Sequence, residues 1–128
     1  MERAIDVLRR LDPESALALD AVATERLRQI EVEGWEVAHD DAHDKGELAA
    51  AASCYAANAC LAVCEPNSAY SGEPPPAWPW DRRWWKPRKP YRDLTRAAAL
   101  SVAEMARRMR KACDIAEDAI LSATADRT

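Results

Sequence analysis

A chain of 128 residues with a formal net charge of −4 has the length of one domain and is not a general nucleic-acid binder. Hydrophobic residues make up 48% of it, but there is no phenylalanine, only three glycines and a great deal of alanine, a composition that favours closely packed helices. The expected fold is all-α: an antiparallel bundle of three to five helices in a single domain over residues 1–128, with a long C-terminal helix and an ordered Pro/Trp-rich loop.

Met1 to Leu11 reads as a short charged amphipathic piece. Asp12-Pro13-Glu14 is a helix start, because aspartate caps and proline suits the first turn. The helical pattern runs to about Glu33. Leu19, Ala23, Leu27 and Ile30 form one stripe, expected inward, with Glu25, Arg28 and Glu31 facing water. Gly34 stops this helix. A polar stretch from Trp35 to Lys45 follows, and a second helix spans about Gly46 to Cys64. Asp44 is its expected cap, with Glu47 completing a capping box. Residues 12–65 thus hold the first two main helices. The second is lined almost all round by small residues, as suits a helix buried on several sides.

Pro66 ends that helix. Residues 66–89 hold most of the prolines and four of the five tryptophans. Such a segment is neither a regular helix nor a central strand, yet it is too aromatic for a disordered linker. Its tryptophans are expected to plug into the helical body. One long helix then covers residues 90–124, on the order of 50 Å at 1.5 Å per residue. Leu94, Ala98, Val102, Met105, Met109, Ala112, Ala116 and Ala119 repeat along it at near-heptad spacing. Its C-terminal half is expected to pack on another subunit, making a homo-oligomer.

The four cysteines form no CxxC pair and read as buried, reduced thiols of a cytoplasmic protein. Neither a signal peptide nor an apolar run long enough to span a bilayer is expected, so no membrane partner is predicted. Charge is unevenly placed. Between Arg82 and Lys111 there are eleven Lys or Arg and two acids, Asp93 and Glu104. That local excess suits a small anionic ligand better than a long duplex, and no sequence-specific nucleic acid is expected.

Three groups of residues carry chemistry. The first is His39, Asp40, Asp41, His43 and Glu47, with Trp35 just before it. Imidazoles and carboxylates this close hold a ligand, bind a divalent metal through Asp41, His43 and Glu47, or simply tie down a capped loop. The second is Trp78 to Pro87, where Trp84, Trp85 and Lys86 form either a stacking platform for a base and its phosphate, a structural plug, or a partner interface. The third opens the last helix: Asp93 answers its dipole, and Arg96 stands one turn on. Glu104 is read as paired with an arginine across the bundle, or as pointing into a pocket. No serine sits in a glycine-flanked elbow and no phosphate-cradling glycine loop is present.

Thr24-Glu25-Arg26-Leu27-Arg28-Gln29-Ile30, then Gly34-Trp35 and His39-Asp40-Asp41, resembles the opening of MazG-like nucleotide pyrophosphohydrolases. Arg92 to Glu104 resembles a later helix of the same family. The chain also resembles a group of phage and prophage proteins that share EGW, HDDxH, GELA and WPW…WWKP elements. The resemblance implies an all-α, oligomeric fold with a nucleotide pocket between helices. In the family, carboxylates in ExxE and ExxD patterns hold Mg²⁺ around a nucleoside triphosphate. Here Glu47 matches one acid, but Ala50 stands three residues on. Asp93 matches another, but Arg96 takes the place of its partner. The family's metal cage is therefore expected to be broken: either His39, Asp40, Asp41 and Glu47 rebuild it, or the domain binds without hydrolysing.

The leading expectation is a phage-type nucleotide-binding protein in the cytoplasm of a bacterial host, sequestering a nucleotide signal of host defence without hydrolysing it. Trp35, or Trp84 and Trp85, would stack the base. Lys86 and Arg96 would meet phosphate, and His39 or Asp41 the polar edges. The alternatives are a Mg²⁺-dependent pyrophosphohydrolase, and a non-enzymatic oligomer that docks a host protein.

Overall fold

A computed structural model describes residues 1–68 and 72–125. Among these the fold is all-α, with α1 (Ala4–Leu11), α2 (Pro13–Glu31), α3 (Val37–Asp41), α4 (Glu47–Cys64) and α5 (Pro90–Ala125). Two short 3-10 turns, Pro66–Ser68 and Arg82–Trp84, lie in the connection between α4 and α5. Ala69 to Ser71, part of the expected Pro/Trp-rich loop, and Asp126 to Thr128 lie outside the described residues.

Local chemistry sets most boundaries. The Asp12 side chain accepts from the Ser15 backbone N–H at 3.2 Å, and Pro13 occupies the first turn of α2. Gly34, at φ 75°, reverses the chain after α2. The Trp35 N–H then donates back to the Gln29 carbonyl at 2.9 Å, which sets that indole beside the end of α2. The start of α4 differs from expectation. Asp44 is not its cap: Gly46, at φ 83°, holds that position. The Glu47 carboxylate reaches back to accept from the Lys45 N–H at 2.6 Å. The polar stretch before it also contains a helical turn, α3, that the sequence did not suggest.

The core is the α4–α5 pair. Asn58 meets Asp93, whereas Ala49 and Ala52 share a groove with Leu94, Ala98 and Ser101, so the two helices run antiparallel. Alanines on both let the backbones approach closely, and Leu48, Cys54, Tyr55 and Leu100 fill the remaining space. Trp85 inserts against this pair with 5% exposure and stacks on Tyr55 at 4.7 Å. Trp85 is thus the fully buried part of the expected plug, with Trp78 and Trp80 packed partly buried against the same core, and it has no open face as a ligand platform.

Two sequence expectations are reversed, for the face of α2 and for the cysteines. On α2 the apolar stripe faces out, with Leu27 56% exposed, while Glu25 and Gln29 are buried at 2% and 1%. The reason is that α2 meets the body through ion pairs rather than aliphatic contacts: Arg26 with Asp40, and Glu25 with Arg28 and Arg92. On α5 the near-heptad stripe is also outward, Met109 being 63% exposed. A neighbouring set spaced by four, three and four, Asp93, Ala97, Leu100 and Glu104, faces the core instead. From Lys111 to Ala125 every residue is exposed, because α5 runs past the rest of the bundle. Finally, only Cys54 is a buried thiol; Cys60, Cys64 and Cys113 are exposed.

By length and composition α4 is apolar enough to cross a membrane, contrary to the sequence reading. In this fold it packs along α5, with Tyr55 and Asn58 making polar contacts to the loop and α5.

Candidate functional site

A cavity of about 550 Å³ opens between the end of α2, the α3 segment, the tryptophan loop, the middle of α4 and the start of α5. That volume suits a small-molecule ligand. Its wall is a run of rings from distant parts of the sequence. Trp35 stacks on His39, with centroids 5.2 Å apart and planes 7° from parallel. His39 meets His43 edge-on at 4.8 Å, and His43 packs on Trp80 at 5.3 Å. Trp80 meets Trp78 at 5.4 Å, and Trp78 meets Tyr55 at 5.6 Å. The histidine turn and the tryptophan loop, more than thirty residues apart, thus form one surface.

Carboxylates behind the rings orient both histidines. His39 Nδ1 lies 3.1 Å from Asp40 Oδ1, and His43 Nδ1 lies 3.1 Å from Glu47 Oε2. A carboxylate only accepts, so in each ring Nδ1 carries the hydrogen, and Nε2 of the neutral ring is an acceptor. Burial alone would raise the Glu47 carboxyl, but the bonds from His43 and from backbone N–H groups outweigh it and hold the acid below the usual carboxylate range.

Positive charge also lines the cavity. Lys86, Arg88 and Arg96 line the cavity, and none makes an ion pair among the described residues. Arg96 lies over the Tyr55 ring, 5.1 Å from its centroid, and donates to the Lys86 carbonyl. Arg28, also in the wall, is committed to Glu25 and Glu33. Those bonds push its pKa further up from an already high value. For Glu25, burial alone would raise the carboxyl; the bond and charge of Arg28, with the charges of Arg92 and Arg96, outweigh it and lower the pKa.

Among the described residues, two side-chain donors of wall residues have no acceptor, Gln29 Nε2 and Trp80 Nε1, and both atoms are shut off from solvent. Nearly all buried polar groups in folded proteins are paired, so these two are exceptions.

Six residues expected at a site come together here: Trp35, His39, His43, Trp84, Lys86 and Arg96. Others are drawn elsewhere. Asp40 is buried behind His39, accepting from Arg26 Nη2 at 3.0 Å. Asp41 turns outward to Arg110, at 3.0 and 2.8 Å. Glu47 supports His43 from behind. Asp93, 0% exposed, accepts from Asn58 Nδ2 at 2.9 Å and the Arg88 N–H at 2.7 Å, and so pins the loop to both core helices. Glu104 is held by Arg107 and Arg108 of its own helix, not across the bundle.

The expected metal set, Asp41, His43 and Glu47, is not gathered. Among the described residues no group of three or more His, Cys, Asp or Glu side chains is placed to hold an ion. The sequence reading missed Gln29, Tyr55 and Arg88 as cavity residues. Gln29 carried a signal only as the last residue of the Glu25–Gln29 motif, and Tyr55 looked like one more core position of α4. No protein-family model, curated protein or solved structure matches the chain.

Proposed function

We infer that the chain is a nucleotide-binding protein. The observation that carries this is the conjunction, in one cavity of about 550 Å³, of an aromatic wall with three cations that make no ion pair among the described residues. A base stacks on such a wall, and phosphate neutralises Lys86, Arg88 and Arg96. The residues expected for a metal cage do not fit one, since Asp41 and Glu47 are turned to different partners and Arg96 stands among the cations. Binding without hydrolysis is therefore the favoured reading over Mg²⁺-dependent pyrophosphate release. Our reading of the scaffold is MazG-like, and of the role, capture of a nucleotide signal in a bacterial cytoplasm by a phage-type protein.

The test is a thermal melt with adenine and guanine nucleotides, linear and cyclic. A ligand at a hundred times its dissociation constant should add about 2.7 kcal/mol of stability. No shift with any of them overturns this reading.

A second reading, assembly with another copy, is favoured by the outward apolar stripes of α2 and α5. It is compatible with the first. Docking of a host protein on the same faces is the alternative occupant.

A further inference from the structure

We propose that Cys60 and Cys64 form a chelating pair for a thiophilic divalent cation of the zinc class, at a site separate from the cavity and independent of what the cavity binds. The two Sγ atoms lie 3.7 Å apart, and both residues are exposed. Neither lines the cavity.

Spacing is the first argument. Residues four apart on a helix are neighbours on one face, so α4 itself sets the two sulfurs side by side. Zinc–thiolate bonds are about 2.3 Å, so two sulfurs on a tetrahedral ion stand about 3.8 Å apart. The pair already stands at that edge, and three intervening residues fall within the usual spacing of thiolate zinc ligands. Both ligands belong to one helix, so no loop has to be ordered when the ion binds. A disulfide fits this pair less well. It needs Cβ atoms about 3.5–4.5 Å apart, whereas helical neighbours four apart hold theirs at about 5–6 Å.

Charge is the second argument. The pair stands at the C-terminal end of α4, the negative pole of the helix dipole. No basic residue lies in the last turn, and the next residue, Glu65, adds another negative charge. Dipole and carboxylate together favour a cation there. Without one they oppose thiolate: the hydrogen bond and charge of Cys64, and the charge of Glu65, push the Cys60 thiol up. An incoming divalent ion forms two S–metal bonds and releases two thiol protons to solvent, so its affinity rises with pH. Thiolates select such soft ions over Mg²⁺ or Ca²⁺.

The other two cysteines stand apart. Cys54 is buried. Asp93 meets Asn58 near the pair, and Cys113 lies about 30 Å further along α5 at 1.5 Å per residue. Among the described residues no third His, Cys, Asp or Glu joins the pair, so the remaining coordination positions are open to water or an outside ligand.

The experiment titrates the whole chain, reduced with a phosphine, first with Cd²⁺, whose bonds to thiolate give an ultraviolet charge-transfer band, and then with Zn²⁺ against a chromophoric chelator. The band should appear, Zn²⁺ affinity should rise with pH, and Mg²⁺ should not compete. Cys60→Ser and Cys64→Ser should each weaken Zn²⁺ binding by more than about tenfold, because even changes behind a metal ligand cost about 10–100-fold. Cys113→Ser should leave band and affinity unchanged. All three side chains are exposed, and a melt of each variant checks that the fold is kept. No thiolate band in the parent chain would overturn the proposal. So would a band and affinity retained when Cys60→Ser and Cys64→Ser are combined, or an equal loss in Cys113→Ser.

Discussion

The guanidinium of Arg96 lies over the ring of Tyr55, with Cζ 5.1 Å from the centroid. Tyr55 in turn stacks on Trp85 at 4.7 Å, and its hydroxyl accepts from the Lys86 N–H at 3.2 Å. A core residue of α4 therefore positions both the plug of the tryptophan loop and a cation of the cavity. Core and site share this side chain.

From this follows an expectation for Arg96→Ala. A half-exposed cation over a ring contributes about 0.5–1 kcal/mol, so the fold should lose little. Nucleotide affinity should fall by about tenfold or more, as the loss of a charged contact to phosphate predicts. Melting curves and titrations on one preparation separate the two effects. Affinity unchanged by the substitution would remove Arg96 from the site.

Asp93 should behave oppositely. Its carboxylate is fully buried and takes donors from Asn58 and from the Arg88 backbone. Asp93→Ala removes this buried acceptor from both. Losing it should cost about 1–3 kcal/mol, so urea midpoints should drop. The resemblance to a metal-binding family would instead predict a loss of Mg²⁺ dependence with the fold intact, and unfolding curves decide between them.

Glu25 makes part of the stability dependent on acid pH. Its folded pKa is lowered from the ordinary glutamate value, so its ion pairs stabilise fully above that ordinary value. The contribution disappears as pH falls through the lowered folded pKa, where the carboxyl protonates in the native state too. Glu25→Gln should accordingly be less stable than the parent at pH 7, and the gap should close as pH is lowered well below 4.5. Paired melts across that range measure it; a gap constant with pH would mean that the arginines do not stabilise Glu25 in its charged form.

The outward stripes give a fourth expectation. Val102 and Met109 sit on the exposed face of α5, and the last fifteen described residues of that helix are all exposed. An isolated helical end of that length is marginal in water. Light scattering should find more than one chain per particle. Val102→Glu with Met109→Glu should shift the population to monomer with the cavity still competent. A monomeric parent would assign these faces to some other occupant.

Much of the fold was legible because it is written locally. Asp12 and Pro13 start a helix, Gly34 stops it, Pro66 ends the next, and alanine spacing marks the long ones. The indole plug was legible as chemistry, though not which tryptophan would perform it. The aromatic and basic character of the site was legible too, since both histidines and the loop tryptophans stand out in composition.

What the sequence determined by itself, then, is the three long helices, the start and stop of α2 and the supply of rings and cations, because each depends on residues within a turn or two. Only the tertiary structure decided which side of each helix faces inward. Asp40 and Asp41 show why: neighbours on a helix point about 100° apart, so one is buried against Arg26 and His39 while the other meets Arg110. Gln29 became a wall of the cavity, and Asp93 a pin of the core, through partners contributed by other elements. Those pairings depend on how α4 and α5 pack and where the loop returns, and no short stretch of sequence contains both sides of them.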